Sequence, residues 1–459
     1  MAEHSVTVEN TLQTLLTDKK YSTIRDILVT MNPADIAAVF AGVESDKLPL
    51  LFRLLPKELA AESFVEMESE EQESLIKGIS DKELRQVMDE LYVDDAVDIV
   101  EEMPANVVQR ILAQADPEMR KEINEILQYP EDSAGSVMTT EYVKLTPDMT
   151  VGDAILRIRR TGVDKETIYT CYVLQNRLLV GTVSVKSLLL APSDLQTIDS
   201  IMESNLITVT THTDQEEVAR MMSKYNLLAI PVVDGDNRMV GIVTFDDAMD
   251  VVEEETTEDM EIMAGMTPSD KTYLRSSPID LFLHRIPWLS LLMISATFTG
   301  MIISNFEKAL TFLPCLAAFI PMLMDTGGNS GSQSSVTVIR ALSLGELEFS
   351  DLGKVIWKEI RTALICGACL SVLCFAKVML VDRLIMNNDE VSVMVAVVVG
   401  LTLAVTVLCA KLVGCTLPML AKKLGFDPAV MASPFITTIV DALSLLVYFG
   451  IATSFLKIT

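Results

Sequence analysis

The chain has 459 residues, half of which are hydrophobic, and a formal net charge of −28 at pH 7. From Arg275 onward 13 basic side chains nearly balance 12 acidic ones, whereas the preceding residues hold 23 basic and 52 acidic side chains. Proteins that bind nucleic acid present a basic surface, whereas this front part is strongly acidic. We therefore exclude nucleic acid as a partner and expect cations instead.

Residues 23–128 predict short amphipathic helices in an acidic domain of residues 1–130. Helix-start signals recur about every dozen residues, with Pro in the first turn or a capping Asn, Ser or Asp before it. These signals are Asn32-Pro33, Ser45-Asp46, Pro56, Ser69, Ser80-Asp81, Asp94, Pro104 and Asp116-Pro117. The spacing predicts stacked helix pairs, an all-α helical repeat. The first 20 residues lack the apolar run of a signal peptide, so we expect this part in the cytosol.

Residues 131–250 contain one pattern of strands and helices twice, with a period of 60 residues from Gly181 to Gly241. The Gly-Ile-Val-Thr-Phe-Asp-Asp run that ends the second copy resembles a tandem pair of CBS domains, which implies an α/β fold. Such pairs often bind adenine nucleotides through a Thr or Ser and an Asp after the last strand. The resemblance points to Thr244 and Asp247, and to Ser184 in the first repeat, so ATP remains an open alternative as a ligand.

The run from Asp246 to Met263 predicts a connecting helix with one acidic face, within a segment of residues 251–275. Asp247, Asp250, Glu254 and Glu258 follow each other at spacings of three and four, which places them on one side of a helix. Like charges at that spacing repel unless a cation lies on them. A solvated linker helix is the alternative interpretation.

Residues 276–459 predict a membrane domain of five α-helical spans. The spans are Pro287–Phe306, Leu310–Met324, Ile360–Leu380, Val391–Leu412 and Pro428–Phe455. Most Lys and Arg residues lie before span one, between spans two and three, and between spans four and five. The positive-inside rule then places the N-terminus in the cytosol and the C-terminus outside.

The second span is followed by a polar run, Asp325–Gln333, which we expect to interrupt the helix. Irregular backbone at membrane depth is tolerated where it is buried or lines a water-filled cavity. Glycine carbonyls and neutral side chains would then supply oxygen ligands, with Gly328 and Asn329 as candidates. A plain turn at the cytosolic edge is the alternative.

The last span contains a carboxylate, Asp441, thirteen residues after Pro428 and therefore roughly 20 Å along the helix axis. A charge at that depth is costly, so it should face a cavity or a partner. Ser433 and Thr437 lie on the same helix face, and a polar contact between helices is the alternative reading. Ligation by oxygen atoms favours a hard cation such as Mg²⁺.

The catalytic motifs of ATP hydrolysis and metalloproteases are absent, so we do not expect an enzyme.

Two membrane motifs and the domain order resemble the MgtE family of magnesium channels. The motifs are Pro321-x-x-x-Asp-x-Gly-Gly-Asn-x-Gly-x-Gln333 and Asp427-Pro-Ala…Pro434…Thr438-x-x-Asp441. The resemblance implies a homodimer in the plasma (inner) membrane, in contact with membrane lipid. Its single Mg²⁺ pathway is lined by the second and fifth spans of both subunits, with Asp441 holding hydrated Mg²⁺ and Ser433 and Thr437 on the same face.

The family also implies gating by cytosolic Mg²⁺. The acidic helix corresponds to the family's plug helix, and Mg²⁺ would bridge it to the two cytosolic domains and close the pore. The implied regulatory residues are Asp95, Glu216, Asp247, Asp250, Glu254, Glu255, Glu258 and Asp259.

Two other functions remain open from the residues themselves. One is a secondary transporter that couples a divalent cation to Na⁺ or H⁺, with Lys377 and Lys411 as candidate coupling charges. The other is a membrane-anchored sensor without transport.

Overall fold

The structure is a computed structural model that describes residues 11–12, 14–269, 273–274 and 276–456, except for the side chain of Ser433. The chain forms two units, Met1–Val252 and Glu253–Thr459.

Short helices fill the first part of the first unit. They are α1 (Tyr21–Leu28), α2 (Pro33–Ala41), α3 (Leu48–Phe52), α4 (Lys57–Val65), α5 (Ser69–Gly78), α6 (Asp81–Met88), α7 (Val93–Glu102), α8 (Ala105–Gln114) and α9 (Pro117–Ile126). Alternate helices pack on each other, α2 on α4, α4 on α6, α6 on α8 and α7 on α9. This arrangement is the predicted helical repeat.

The predicted helix starts hold at most positions because the capping side chains act as expected. Ser80 forms a capping box with Glu83 at the start of α6, and Asp116 accepts hydrogen bonds from the first turn of α9. The start expected at Ser45-Asp46 is wrong, because residues 45–47 form a turn and α3 begins at Leu48.

The second part of the unit contains two equivalent three-stranded sheets, which confirm the predicted duplication. In the first, β1 (Tyr142–Leu145) runs parallel to β2 (Thr167–Gln175), which pairs antiparallel with β3 (Leu178–Ser184). In the second, β4 (Val209–Thr210), β5 (Ala229–Val233) and β6 (Met239–Thr244) repeat this topology. The helices of this part are α10 (Val151–Thr161), α11 (Val185–Leu189) and α12 (Gln215–Tyr225).

One hydrophobic core joins the second sheet to the helical repeat. Ile230, Val232 and Val243 of that sheet belong to the same buried cluster as Ile99 and Val107 of α7 and α8. Helix α13 (Phe245–Met263) follows β6 directly, as the acidic run predicted.

Long helices make up the second unit. They are α14 (Pro278–Asn305), the short α15 (Glu307–Phe312), α16 (Ile320–Ser343), α17 (Leu352–Lys377) with a π-helical continuation (Val378–Ile385), α18 (Val393–Lys423) and α19 (Ser433–Leu456). Helix α18 packs against α16, α17 and α19, and α14 packs against α19. In the described part of the chain, four segments are long and apolar enough to cross a membrane: Pro278–Asn305, Phe349–Ile385, Val393–Lys423 and Pro428–Leu456.

The second predicted span is wrong in its bounds. Residues 314–319 form a 3-10 helix, and the long helix begins at Ile320 and continues through the polar run to Ser343. The expected interruption at Asp325–Gln333 is therefore absent from α16. Its glycines are buried against neighbouring helices, and α16 is not among the four segments named above.

Close helix packing accounts for the small residues of α16. A Cβ atom at Gly331 would lie 2.8 Å from Ile436 Cγ2, and Gly414 of α18 approaches the Gly331 carbonyl so closely that a Cβ there would clash. Glycine within a helix costs about 1 kcal/mol relative to alanine. The contacts that it permits with α18 and α19 offset that cost.

Candidate functional site

Helix α16 presents one polar face in the single chain. Asp325, Asn329 and Gln333 recur every four residues and are all exposed, whereas Leu323, Gly327, Gly331 and Ser334 on the opposite side are buried. The side-chain oxygen of Asn329 is thus accessible, and its role as a ligand stays a prediction. Asp325 was part of the motif but was not singled out as a ligand.

The polar face of α19 lies beside this face of α16. A Cβ atom at Gly328 would lie 3.0 Å from Thr437 Cγ2, so Gly328 is the point of close approach between the two helices. The Thr437 hydroxyl donates a hydrogen bond to the Pro434 carbonyl at 2.9 Å and keeps its oxygen as an acceptor. Gly328 itself is buried in a regular helix, so the unwound carbonyl expected there is not present.

Asp441 lies one turn beyond Thr437 on α19, is partly exposed, and interacts electrostatically with Asp325. Two carboxylates that share a site repel each other unless a cation lies between them. Neither forms an ion pair with any described Lys or Arg. Asp441, Asp325, Asn329 and Thr437 therefore make up an oxygen-lined surface, which we call the α16–α19 oxygen surface. The side chain of Ser433 lies outside the described residues.

The candidate coupling lysines lie in ion pairs. Lys411 of α18 is 6% exposed and its Nζ atom lies 3.8 Å from Glu359 Oε2 of α17. Lys377 donates hydrogen bonds of 3.0 and 2.9 Å to the two carboxylate oxygens of Asp382. Each charge is thus balanced by a neighbour outside the α16–α19 oxygen surface.

A second group of carboxylates lies in the first unit, between α7 and the first turn of α13. Asp94, Asp95 and Asp98 of α7 all interact with Asp247, and Asp94 and Asp95 also interact with Glu166. We call these five residues the acidic cluster. Asp95 and Asp247 were predicted, and Thr244 donates a hydrogen bond to Asp247. Sequence reasoning did not single out Asp94, Asp98 or Glu166 as regulatory residues, because no spacing rule connects α7 to Glu166, the residue before β2.

The electrostatics of the acidic cluster oppose full ionisation. Burial and the charge of Asp247 raise the pKa of Asp95 to about 6, and burial, with the charges of Asp95 and Asp247, raises that of Glu166 to about 8. Burial raises the pKa of Asp247 to about 6 and that of Asp94 well above its usual range. Asp98 lies at the exposed rim, where burial of part of its carboxylate and the Asp247 charge raise its pKa.

The acidic cluster is not a closed chelate. No group of three or more His, Cys, Asp and Glu side chains among residues 11–12, 14–269, 273–274 and 276–456 is arranged to hold a metal ion directly. A cation at the acidic cluster would therefore keep some of its water ligands, as Mg²⁺ usually does.

The other predicted regulatory residues are divided between two elements. Glu216 lies in the first turn of α12. The remaining ones extend along α13, namely Asp250, Glu254, Glu255, Glu258 and Asp259.

At the end of α13, Asp259 accepts a 3.3 Å hydrogen bond from Ser343, the last residue of α16. Burial and the charge of Asp427, which precedes α19, raise the pKa of Asp259. Ile262 and Met263 pack on Ile339, Ala429 and Ala432. The end of α13 therefore contacts the ends of both helices that form the α16–α19 oxygen surface.

The candidate nucleotide residues do not share one site. Ser184 lines a cavity of about 490 Å³ together with Tyr169, Lys186, Leu190 and Leu228. The lining does not include Asp247 of the acidic cluster or Thr244, which donates a hydrogen bond to Asp247. The carboxylates of the acidic cluster would repel the phosphates of a nucleotide at Thr244, whereas the cavity at Ser184 contains Lys186.

Family models match three successive parts of the chain. They are the intracellular N domain of MgtE at residues 31–132, CBS domains at residues 134–194 and 198–254, and the divalent cation transporter domain of MgtE at residues 320–451.

Curated relatives match the chain over nearly its whole length. The magnesium transporter MgtE of Thermus thermophilus is 36% identical over 451 residues, covering 97% of this chain and 98% of the relative. The magnesium transporter MgtE of Bacillus subtilis is 33% identical over 443 residues, covering 96% of each.

Two solved structures resemble the front half of the chain. The cytosolic domain of the Mg²⁺ channel MgtE in complex with ATP is 36% identical and has a TM-score of 0.51, covering 53% of this chain and 99% of that one. The soluble part of a magnesium transporter is 28% identical and has a TM-score of 0.51, covering 56% of this chain and 99% of that one. Together with the near-complete match to the curated relatives, these similarities show that the chain belongs to the MgtE family of magnesium transporters.

Proposed function

We propose that this protein is a Mg²⁺-selective, Mg²⁺-gated channel for magnesium uptake across the plasma membrane. The observation that supports this function is the α16–α19 oxygen surface, where Asp325 and Asp441 have no fixed cationic partner among the described residues. The distribution of Lys and Arg supports a cytosolic N-terminus and an outer C-terminus.

The ligand chemistry of this surface favours a hydrated Mg²⁺ ion. It offers carboxylate, amide and hydroxyl oxygens and no nitrogen or sulfur ligand, which suits a hard cation. Mg²⁺ loses water reluctantly and is usually held through one or two carboxylates, so a sparse surface is enough to guide it.

A homodimer would complete the pathway. The exposed face of α16 contains Asp325, Asn329 and Gln333, and polar groups at membrane depth are costly when they face lipid. A second copy that faces the first across a twofold axis would enclose these residues in a water-filled passage. Its Asp441 would join that of the first copy, so that two negative charges balance one Mg²⁺.

Flux measurements on Asp441→Ala test this pathway. In liposomes, the variant should lose Mg²⁺ flux while it still elutes as the same oligomer as the wild type. Asp389→Asn, which neutralises an exposed carboxylate in the loop before α18, is the matched control and should retain flux. Wild-type flux through the Asp441→Ala variant would remove Asp441 from the pathway.

A coupled transporter is the alternative mechanism, and the reversal potential separates the two. The current through a channel reverses at the Mg²⁺ equilibrium potential whatever the Na⁺ or H⁺ gradient. The reversal potential of a coupled transporter shifts with that gradient. The pairing of Lys411 with Glu359 and of Lys377 with Asp382 supports the channel, because both candidate coupling charges are already balanced. Absence of any flux from the wild type would instead favour a sensor without transport.

Cytosolic Mg²⁺ would close the channel by relieving repulsion between acidic groups. Without a divalent cation, the carboxylates of the acidic cluster repel each other and favour separation of α7 from the start of α13. Mg²⁺ would favour the closed arrangement by binding it more tightly than the open one. The end of α13, at Asp259, contacts α16 and would then hold the pathway shut.

Neutralising the α13 carboxylates tests this gate. Patch-clamp recordings with stepped cytosolic Mg²⁺ should show that a channel with Asp247, Asp250, Glu258 and Asp259 changed to Asn or Gln stays open at concentrations that close the wild type. Neutralising exposed Asp35 on α2 is the control and should leave closure unchanged. Closure of the fourfold variant at the wild-type concentration would place the sensor elsewhere.

ATP is a second proposed ligand, supported by the relative whose cytosolic domain was solved with ATP. The cavity at Ser184 would hold the adenine against Tyr169 and Leu228, and Lys186 would face the phosphates.

A further inference from the structure

Helix α13 ends in a hydrogen-bonded cap centred on Gly265. Gly265 has a φ of +74°, and its N–H donates to the Ile262 carbonyl at 2.9 Å. The Met266 N–H donates to the Glu261 carbonyl, also at 2.9 Å. This pair of bonds, with glycine in the left-handed conformation, is the Schellman motif that ends many helices. The chain therefore leaves α13 in one defined direction.

The cap of α13 lies against two helices of the second unit. A Cβ atom at Gly265 would lie 2.9 Å from Pro434 Cγ at the start of α19 and 3.9 Å from Trp288 Cγ of α14. Directly before the cap, Ile262 and Met263 make the apolar contacts with α16 and the start of α19 described above. The end of α13 and its cap thus contact α14, α16 and α19 together.

Two hydrogen bonds join the segment after the cap to α14. The Thr267 N–H donates to the His284 carbonyl at 2.9 Å, and His284 Nδ1 lies 3.0 Å from the Thr267 carbonyl oxygen. A carbonyl oxygen only accepts, so Nδ1 carries a proton and donates it. One residue of α14 therefore binds both backbone groups of Thr267, and we call this pair of hydrogen bonds the Thr267–His284 clamp.

The Thr267–His284 clamp is not required to start α14. Ser277 and Asp280 form a capping box at that point, and His284 lies beyond the first turn of the helix. His284 belongs neither to the α16–α19 oxygen surface nor to the acidic cluster, so the proposed pathway and sensor leave its hydrogen bond unexplained. What the bond does fix is the distance between α14 and the segment that follows α13.

We propose that His284 is a positioning residue for the Mg²⁺-dependent gate. By holding Thr267, the imidazole keeps the end of α13 in contact with α16 and α19 when the channel closes. This inference rests on the gating function proposed above. Without the side-chain bond, the segment after Gly265 gains conformational freedom, which favours the arrangement in which α13 has left those helices.

Single-channel recordings of His284→Ala test the proposal. At the cytosolic Mg²⁺ concentration that closes the wild type half of the time, the ratio of closed to open time should fall by about 2–10-fold, the factor expected for one hydrogen bond. The single-channel current should not change, because His284 lies outside the α16–α19 oxygen surface. His212→Ala, which removes an exposed, hydrogen-bonded imidazole of the first unit, is the matched control and should close like the wild type.

Two further variants separate the hydrogen bond from a general loss of packing. His284→Asn should restore most of the closure, since its amide nitrogen can donate to the Thr267 carbonyl from nearly the same position as Nδ1. Gly265→Ala leaves His284 unchanged but disturbs the same connection, because alanine is strained at a φ of +74° and its Cβ would press on Pro434. This variant should also shift the ratio towards the open state.

Hydrogen–deuterium exchange of the full-length protein in Mg²⁺ measures the Thr267–His284 clamp without any flux. The Thr267 amide should exchange faster in His284→Ala than in the wild type, and at close to the wild-type rate in His284→Asn. All variants should elute as the same oligomer as the wild type.

Wild-type closure of His284→Ala, whether or not its exchange is faster, would overturn the proposal, because the Thr267–His284 clamp would then have no part in gating. Failure of His284→Asn to restore closure would overturn it as well. If Mg²⁺ did not close even the wild type, the proposed gate and the role of His284 would both be wrong. The two failures are therefore distinguished by the behaviour of the wild type.

Discussion

The substitution Asp95→Asn should stabilise the protein when divalent cations are absent. Asp95 of α7 is partly buried, and its pKa is raised to about 6 by burial and by the charges of Asp247 and Asp246. This pKa is about 2 pH units above the ordinary value of an aspartate, and each unit corresponds to about 1.36 kcal/mol. The ionised Asp95 carboxylate therefore destabilises the folded acidic cluster by about 2–3 kcal/mol at pH 8.

The pH dependence of the wild type follows from the same groups. A carboxylate whose folded pKa exceeds its unfolded pKa binds more protons in the folded state, so stability decreases as the pH rises. The contribution of Asp95 is fully present below about pH 4 and is lost as the pH rises through about 6. Glu166, with a folded pKa of about 8, extends this loss to higher pH.

Thermal unfolding of the full-length protein in detergent measures both effects. In EDTA the wild type should melt at a lower temperature at pH 8 than at pH 6, and Mg²⁺ should reverse much of the difference. Asp95→Asn should raise the melting temperature at pH 8 in EDTA by about 4–12 °C, given about 2–4 °C per kcal/mol for a unit of this size. It should also reduce the stabilisation by Mg²⁺.

The control for Asp95→Asn is Asp35→Asn, which removes an exposed carboxylate of α2 outside the acidic cluster. It should change the melting temperature by little more than 1 °C, since surface substitutions usually alter stability by less than about 0.5 kcal/mol. If Asp95→Asn behaved like this control in EDTA at pH 8, repulsion within the acidic cluster would not be the source of the Mg²⁺ response.

Three further predictions concern packing, the buried ion pair and the nucleotide. Gly331→Leu should prevent close packing of α16 on α18 and α19 and destabilise the second unit by at least about 1–3 kcal/mol, seen as loss of monodisperse protein. Lys411→Met should destabilise by about 3–5 kcal/mol because it leaves Glu359 buried and unpaired. The double variant Lys411→Met, Glu359→Gln should recover most of that loss in a melting experiment. Tyr169→Ala should weaken ATP binding measured by calorimetry, whereas Thr244→Val should leave it within a factor of about 2–3 if the nucleotide lies in the cavity at Ser184.

Local signals in the sequence were enough to predict much of the fold of the first unit. Capping residues such as Ser80 and Asp116 act within one turn of their own helix, so their spacing can be interpreted without a structure. The duplicated sheets were predicted from strand-like runs that alternate with helices and from the recurrence of that pattern. The acidic face of α13 follows from helical periodicity.

The sequence misled where tertiary packing overrides local preference. Glycines and polar residues from Asp325 to Gln333 predicted an interrupted helix, because glycine weakens isolated helices. In the structure, α18 and α19 surround that run, and the small side chains allow their close approach. The complete acidic cluster could not be predicted for a related reason, since Glu166 reaches α7 only through the tertiary fold.

The distribution of ion pairs in the second unit supports the proposed cation pathway. Lys411 and Lys377, which lie within or at the end of long apolar helices, are paired with Glu359 and Asp382. Neither Asp325 nor Asp441 pairs with a described Lys or Arg. An intramembrane carboxylate with a fixed cationic partner could not hold a passing ion without breaking that pair. In the proposed pathway the lysines are held elsewhere, so the two aspartates are available to a mobile cation.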